Sequence, residues 1–187
     1  MKAVEPVREF GVAQALSKGT CPICALLREF QNDLIDTLAP CAAEYLCNFH
    51  AWAIAHATPA TSVVRIFSRL LESGGANDWT RCGICEQVLK EEELRVHEVA
   101  KELGSRATLA QWLLRHGSIC LNHATKLRAF VPDHLQEVVS QIVQRNLSEM
   151  KRDLDLYRKQ IEHGTKAGGG VLGKIAEFLV SQRGITH

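Results

Sequence analysis

The sequence predicts an all-α protein with two pseudo-repeated helical modules, a long helix after them and a terminal amphipathic helix. Apolar residues recur every three to four positions along almost the whole chain, which is the period of one helix face. Almost no segment shows the two-residue alternation of a β-strand. One arrangement of cysteine and histidine pairs also occurs twice in the same order, with spacers of different length, which indicates an approximate internal duplication.

The first half of the chain predicts four helices. They cover residues 7–16, 23–38, 47–56 and 63–71, where the apolar stripes run. Gly19, Pro40 and Pro59 are the expected breaks between them. The run Ser73–Asp78 contains two glycines and small polar residues, which is typical of a linker.

The second half repeats this plan. A charged helix is expected over residues 85–103, broken at Gly104, and Ser105 is a candidate cap for the next helix, which ends near Gly117. The remaining predicted helices are a short one from Cys120 to before Pro132, a long one from Asp133 through Ile161, and an amphipathic one over 171–179 after Gly168–Gly170. The predicted division is therefore 1–75 for the first module, 76–133 for the second and 134–187 for the C-terminal helices.

Composition restricts the class of protein. The 187 residues carry a formal net charge of +1, so no excess of charge favours nucleic acid or an anionic membrane as a partner. The first residues lack the apolar segment of a signal peptide, and no run approaches the ~20 apolar residues that span a bilayer. We therefore expect a cytoplasmic protein that binds neither nucleic acid nor membrane.

The cysteine and histidine pairs predict metal binding. The first set is Cys21, Cys24, Cys47 and His50, and the second set is Cys82, Cys85, Cys120 and His123. Each set offers three thiolates and one imidazole, which complete the tetrahedral shell of a zinc ion. The hypothesis is that each set, taken in chain order, holds one ion, which gives two structural zinc ions.

Helix lengths test this pairing. In the second set, the helix over 86–103 leads away from Cys85 by about 27 Å, and the helix over 105–116 returns about 18 Å. In the first set, the helix over 25–38 leads away by about 21 Å, whereas the eight residues 39–46 return about 12 Å as a helix or at most about 26 Å extended. The first pairing therefore requires a bent or irregular segment around 36–45.

Two other chemistries remain open for the same residues. An iron–sulfur cluster is the alternative cofactor, since clusters are held by cysteine and in some cases by histidine. A thiol-based redox, electron-transfer or sensor protein is the alternative function, although the thioredoxin-like version needs βαβ elements that the helical pattern does not provide. No nucleophile elbow, phosphate-binding loop or dinucleotide-binding motif is present, so no catalytic residue is predicted.

Residues outside the two sets have structural interpretations. Cys41 is left over as a buried thiol, Trp52 and Trp112 are expected in the core, and Lys90–Glu93 is expected to be a solvated helix face. The preferred function is a scaffold or adaptor that binds a protein partner or self-associates through the C-terminal helices. For the segment Val171–Arg183, packing on its own chain is favoured over docking to a partner.

The motifs resemble those of a bacterial protein family with no established activity. The matching segments are Cys21–Cys24 as C-P-x-C, Cys47–Trp52 as C-x-x-H followed by an aromatic residue, Cys82–Cys85, Cys120–His123 as C-L-x-H, and Ala176–Val180 as a final helix. The resemblance covers most of the chain and implies a helical fold with metal ligation at the eight cysteine and histidine positions. The glycine-rich approach to the final helix departs from the charged and aromatic segment of that family.

Overall fold

A computed structural model describes residues 11–17, 20–38, 46–57, 59–72, 82–164 and 170–180. Within these ranges every regular element is an α-helix, which confirms the all-α prediction. In chain order they are α1 (Val12–Ser17), α2 (Pro22–Leu38), α3 (Asn48–Ala57), α4 (Ala60–Glu72), α5 (Gly83–Ser105), α6 (Ala107–His116), α7 (Leu121–Arg128), α8 (Asp133–Glu162) and α9 (Gly170–Val180). Several predicted features lie outside the described residues, namely residues 7–10 of the first predicted helix, the breaks at Gly19 and Pro40, Cys41, the linker at 73–78, Gly168–Gly169, residues 181–183 and most of the bend at 36–45.

Contacts between residues divide the chain into two compact units. Unit 1 combines the described residues up to Leu26 with those from Val96 onward, and unit 2 contains the described residues from Leu27 to Arg95. Helices α2 and α5 therefore contribute residues to both units. For that reason the units do not coincide with the consecutive segments 1–75, 76–133 and 134–187 that the sequence suggested.

The core of unit 1 forms around the first half of α8. Leu135, Val139 and Ile142 are buried at the i, i+4, i+7 spacing of one helix face. Helix α8 packs against α6, α7 and α9, and α9 also contacts α7. Leu113 and Leu127 are among the fully buried side chains that fill the space between these helices.

Two glycines shape the ends of helices in unit 1. Gly117 follows α6 and donates its backbone N–H to the carbonyl of Leu113. A Cβ at Gly117 would collide with the end of the Leu113 side chain and lie 3.1 Å from the Leu113 Cα, so a larger residue here would require Leu113 to move. Gly164 ends α8 in the left-handed conformation, with φ of 68°, where glycine carries no steric penalty.

Unit 2 contains the rest of α2, helices α3 and α4, and the first half of α5. Helices α3 and α4 pack on each other, and Ile54 of α3 and Ile66 of α4 are buried. Leu34 and Ile35 of α2 and Ile84 and Val88 of α5 are also buried.

Four expectations about individual residues are wrong. Trp52 is 61% exposed and stacks on His56 instead of filling the core. Glu92, expected on a solvated face, is buried. Helix α5 continues through Gly104, and Ser105 does not cap α6, because its hydroxyl donates to the Glu102 carbonyl and Arg106 holds the cap position without a side-chain bond.

No helix within the described ranges is long and apolar enough to cross a bilayer.

Candidate metal centres

The structure gathers all eight predicted ligand residues into two clusters. Site A contains Cys21, Cys24, Cys120 and His123, and site B contains Cys47, His50, Cys82 and Cys85. The predicted residues therefore come together, but the predicted pairing is wrong. The pair Cys21/Cys24 lies beside the pair Cys120/His123, and the pair Cys47/His50 lies beside the pair Cys82/Cys85. Site A lies within unit 1 and site B within unit 2.

In site A, three sulfurs surround one imidazole nitrogen. The Sγ atoms of Cys21, Cys24 and Cys120 lie 3.4, 3.2 and 3.1 Å from Nδ1 of His123. The Sγ atoms of Cys24 and Cys120 are 3.7 Å apart. All four residues are buried, with none more than 6% exposed. This donor set can enclose one ion away from water.

Site B repeats the arrangement around Nδ1 of His50. The Sγ atoms of Cys47, Cys82 and Cys85 lie 3.2, 3.3 and 3.3 Å from this nitrogen, and those of Cys47 and Cys85 are 3.6 Å apart. Cys85 is half-buried, in contrast to the other members of both sites. The second ring nitrogen of His50, Nε2, is buried without a hydrogen-bond partner. Site B is therefore more accessible and less completely hydrogen-bonded than site A.

Each of the four motifs is placed at the start of a helix. The backbone carbonyls of Cys21, Cys47, Cys82 and Cys120 each accept the N–H of the residue four positions later, so each of these cysteines precedes a first helical turn. The last residue of each motif follows in that turn and points its donor atom to the same side. Two helix N-termini therefore meet at each site.

These helix starts suit anionic ligands. A divalent ion with three thiolates and a neutral imidazole has a formal charge of −1, because 2 − 3 = −1. Each helix N-terminus is equivalent to about +0.5 of a charge, so the two at one site together offset about one negative charge. Positive potential of this kind also favours the thiolate over the thiol, and the thiolate is the form that binds metal.

Proton affinities differ sharply within each cluster when no metal is bound. Burial raises the pKa of Cys21, but hydrogen bonds from Cys120, Cys24 and His123 outweigh burial and hold this pKa well below its usual range. The pKa of Cys24 is raised, first by its hydrogen bond with Cys120. The first cysteine of the motif is therefore the preferred thiolate, and the second retains its proton.

Site B shows the same division. Burial acts to raise the pKa of Cys82, yet the hydrogen bond from His50 and two backbone bonds lower it to about 6. The pKa of Cys85 is raised by burial and by the neighbouring Cys82 charge. In both sites a metal ion would have to displace a proton from the second cysteine of the C-x-x-C motif.

Hydrogen bonds from two residues of α8 stabilise the segment that leads to Cys120 of site A. The guanidinium of Arg145 donates to the carbonyls of Leu114 and Gly117, which the end of α6 leaves without helical partners. The Nδ2 group of the buried Asn146 donates to the Ser118 hydroxyl at 3.0 Å, and Arg145 donates to Asn146 Oδ1 at 3.2 Å. These bonds fix residues 117–118 immediately ahead of Cys120. This network is not predictable from the sequence, because nothing in the local pattern at 145–146 indicates its partners.

The length of α2 explains the corrected pairing. At 17 residues this helix rises about 26 Å from the Cys21–Cys24 pair. Only eight residues, 39–46, then precede Cys47, so a return to the start of α2 would need an almost fully extended chain. In the structure Cys47 and His50 lie with Cys82 and Cys85 instead. Cys120 and His123 supply the other two ligand residues beside Cys21 and Cys24.

A cavity of about 300 Å³ lies beside site A. Its wall includes Cys21, Cys24 and Cys120 together with side chains of α8 and α9, among them Lys174 and Phe178. The cavity is lined by acidic, basic and apolar groups, which do not define one class of ligand. The sulfurs on its wall are those that converge on His123.

Comparison with known proteins finds no family model, no curated relative and no solved structure that matches the chain. The resemblance to the bacterial family therefore stays a prediction, and any function must be inferred from the two sites themselves.

Proposed function

We propose that the protein is a non-catalytic helical scaffold or adaptor in which sites A and B each hold one structural zinc ion. The observation that supports this proposal is the convergence of three sulfurs and one imidazole nitrogen at each of two separate places. Three cysteines and one histidine are a common shell of structural zinc, which favours sulfur and nitrogen ligands in tetrahedral geometry.

The size of the clusters favours a single ion over an iron–sulfur cluster. All four ligand atoms of each site lie within 4.8 Å of one another. Zinc–sulfur bonds of about 2.3 Å place tetrahedral sulfurs about 3.8 Å apart, close to the observed 3.6 and 3.7 Å. A cluster with two or more irons spreads its cysteines over several metal atoms and needs wider separations. The iron–sulfur alternative therefore has less geometric support.

The number of ligands favours a structural role over a catalytic one. Catalytic zinc usually has three protein ligands and keeps its fourth position for water or substrate. Each site here offers four protein donors, and site A is buried. A shell that is filled by the protein leaves no position for a zinc-bound hydroxide.

Zinc would contribute a large part of the folding free energy. Structural zinc contributes about 10–16 kcal/mol in small zinc-binding peptides. The net stability of a whole domain is about 5–15 kcal/mol. Site A joins residues 21–24 to residues 120–123, so its ion would connect distant parts of unit 1. Thiols poised for metal also suit a reducing compartment such as the cytoplasm.

Metal analysis of protein purified without oxygen tests the proposal. We expect a colourless protein with two zinc ions per chain, one for each cluster. Replacement by cobalt(II) should give the absorption of tetrahedral thiolate coordination. Chelation should cause loss of helical circular dichroism, which zinc should restore. Iron with acid-labile sulfide and visible absorption would contradict zinc. Unchanged folding after substitution of all eight ligands by alanine would contradict the structural role.

A further inference from the structure

Helix α9 is held on unit 1 by a narrow apolar face. The helix has 11 residues and contacts α7 and α8. Phe178 is 3% exposed, Val171 and Ile175 are half-buried, and these three residues share one side of the helix at the i, i+4, i+7 spacing. We call them the α9 face. Helices shorter than ~12–15 residues are marginal in water by themselves, so the helical form of α9 depends on the packing of this face.

The α9 face borders the cavity beside site A. All three of its residues line this space of about 300 Å³. Three of the four ligand residues of site A line the same space, namely Cys21, Cys24 and Cys120. None of these cysteines is more than 6% exposed. The cavity therefore lies between the packing residues of α9 and the sulfurs that would hold the metal.

The wall of the cavity also carries charged side chains. Glu149 and Asp153 of α8 and Lys174 of α9 are among them. Cavities that stay dry are apolar, so a space of this size with charged groups on its wall admits water. An ion or a charged chelator enters hydrated space at a much lower cost in free energy than a packed apolar core. The cavity is therefore a route by which such species can reach the site A sulfurs.

Glycines stand at both ends of the connection from α8 to α9. Gly164 ends α8 with φ of 68°, and Gly170 begins α9. A Cβ at either position would meet no atom within 4 Å, so neither glycine serves close packing. Hinges consist of a few residues at the ends of helices or in loops, often small ones, that absorb changes in φ and ψ. These two positions suit a hinge about which α9 moves.

From the shared cavity and the narrow apolar face, we propose that α9 is a movable cover over site A, and that its opening controls access to the site A sulfurs. When α9 is closed, its apolar face keeps chelators and other thiols away from these cysteines. When α9 opens, the cavity becomes a cleft that is continuous with solvent. Segments with few buried contacts open locally at lower free energy than the core, so α9 opens while α7 and α8 stay folded. The inference rests on the proposed function, because it describes how the zinc of site A is retained.

Hydrogen–deuterium exchange of the full, metal-loaded chain tests whether α9 opens separately. Read by mass spectrometry, the amides of α9 should exchange at least about tenfold faster than the protected amides of α7 and of the first half of α8. Equal protection of all three helices would overturn the proposal, because α9 would then open only when the whole unit unfolds.

Zinc release to a coloured chelator tests whether this opening controls site A. The phase of release that Cys24→Ser/Cys120→Ser lacks belongs to site A. Ile175→Lys places a charge in the α9 face and should accelerate this phase about tenfold or more, because the rate follows the population of the open form. The site B phase should not change. Leu172→Lys is the matched control, since Leu172 is 47% exposed on the same helix and does not line the cavity, and it should leave both phases unchanged.

A variant in the core of unit 1 separates opening of α9 from a general loss of stability. Val99→Ala shortens a fully buried side chain that does not line the cavity. Ile175→Lys should accelerate release from site A more than Val99→Ala does, even if Val99→Ala lowers the melting temperature further. No acceleration by Ile175→Lys, or an equal acceleration by Leu172→Lys or Val99→Ala, would overturn the proposal.

Zinc content, measured before release, separates these outcomes from a failure of the proposed function. A site A without zinc would contradict the proposed function. The rates at which iodoacetamide alkylates the site A cysteines then test the cover, and they should be highest in Ile175→Lys. Equal alkylation in wild type, Ile175→Lys and Leu172→Lys would overturn the proposal.

Discussion

The Sγ atom of Cys24 lies 3.7 Å from the Sγ atom of Cys120, although 96 residues separate them along the chain. Cys47, only 23 positions after Cys24, belongs to the other site. The four motifs are therefore nested, with the outer two in site A and the inner two in site B. Each unit contains one complete site, so each metal would stabilise its own unit.

Paired substitutions test this nested arrangement. Cys24→Ser with Cys120→Ser damages only site A and should reduce the bound zinc from two ions to one. Cys24→Ser with Cys47→Ser damages both sites and should remove both ions. The measurement is zinc content after equilibration with a competing chelator that removes weakly held metal. The opposite result, with one ion left in the second variant, would support pairing in chain order.

Much of this arrangement could be predicted from the sequence. The spacing of each motif identifies two donor atoms three residues apart, and a helix start places such residues on one side. All eight residues, and most of the helices, were identified in this way. The spacing within each motif does not predict which two motifs share a site, because that depends on the path of the chain after α2. The short segment 39–46 was the one available indication that the sequential pairing was strained.

The burial of single residues was less predictable. Trp52 has the size and periodicity of a core residue, yet it is exposed and stacks on His56. Glu92 lies within a run of charged residues, yet it is buried. Periodicity in the sequence predicts which residues share one face of a helix. Whether a neighbouring helix covers that face depends on the tertiary structure, which periodicity does not give.

The two sites should differ in how fast they release metal. Cys85 is half-buried, and Nε2 of His50 has no hydrogen-bond partner, whereas every site A ligand is buried. Histidine ligands are normally oriented by a hydrogen bond to the second ring nitrogen, and loss of such a partner costs about 10–100-fold in metal affinity. Site B should therefore lose zinc first when a chelator is added.

Release is best measured in variants that retain one site. Cys24→Ser/Cys120→Ser keeps site B, and Cys47→Ser/Cys85→Ser keeps site A. The time course of zinc transfer to a coloured chelator should be faster for the variant that keeps site B. Equal rates, or slower release from site B, would contradict the argument from burial and hydrogen bonding.

Arg145 should support metal binding at site A without contacting the ion. Its guanidinium holds the carbonyls of Leu114 and Gly117, just ahead of Cys120. Arg145→Met leaves those carbonyls without this partner and should lower the zinc affinity of site A by about tenfold, while site B stays unchanged. Competition titrations in the two single-site variants measure each affinity separately. Arg152→Met, on the exposed face of the same helix, is the control and should have no effect. An equal loss of affinity at both sites would indicate general destabilisation instead.

Zinc affinity at site B should depend on pH in two regimes. In the metal-free site, Cys85 has a raised pKa and stays protonated near neutral pH, so zinc must displace its proton there. Cys82 has a pKa of about 6, so above that pH it is already a thiolate and releases no proton. Below pH about 6 it is protonated as well, and zinc must displace one more proton.

The logarithm of the zinc affinity should therefore fall more steeply with decreasing pH below about 6, with one additional factor of ten for each pH unit. Competition titrations of Cys24→Ser/Cys120→Ser on both sides of this pH measure the slope. Adding Cys82→Ala should lower the affinity at every pH and remove this contribution to the change of slope, because the group that titrates is absent. If the slope does not increase below pH about 6, then His50 and the backbone do not stabilise the Cys82 thiolate as the structure indicates.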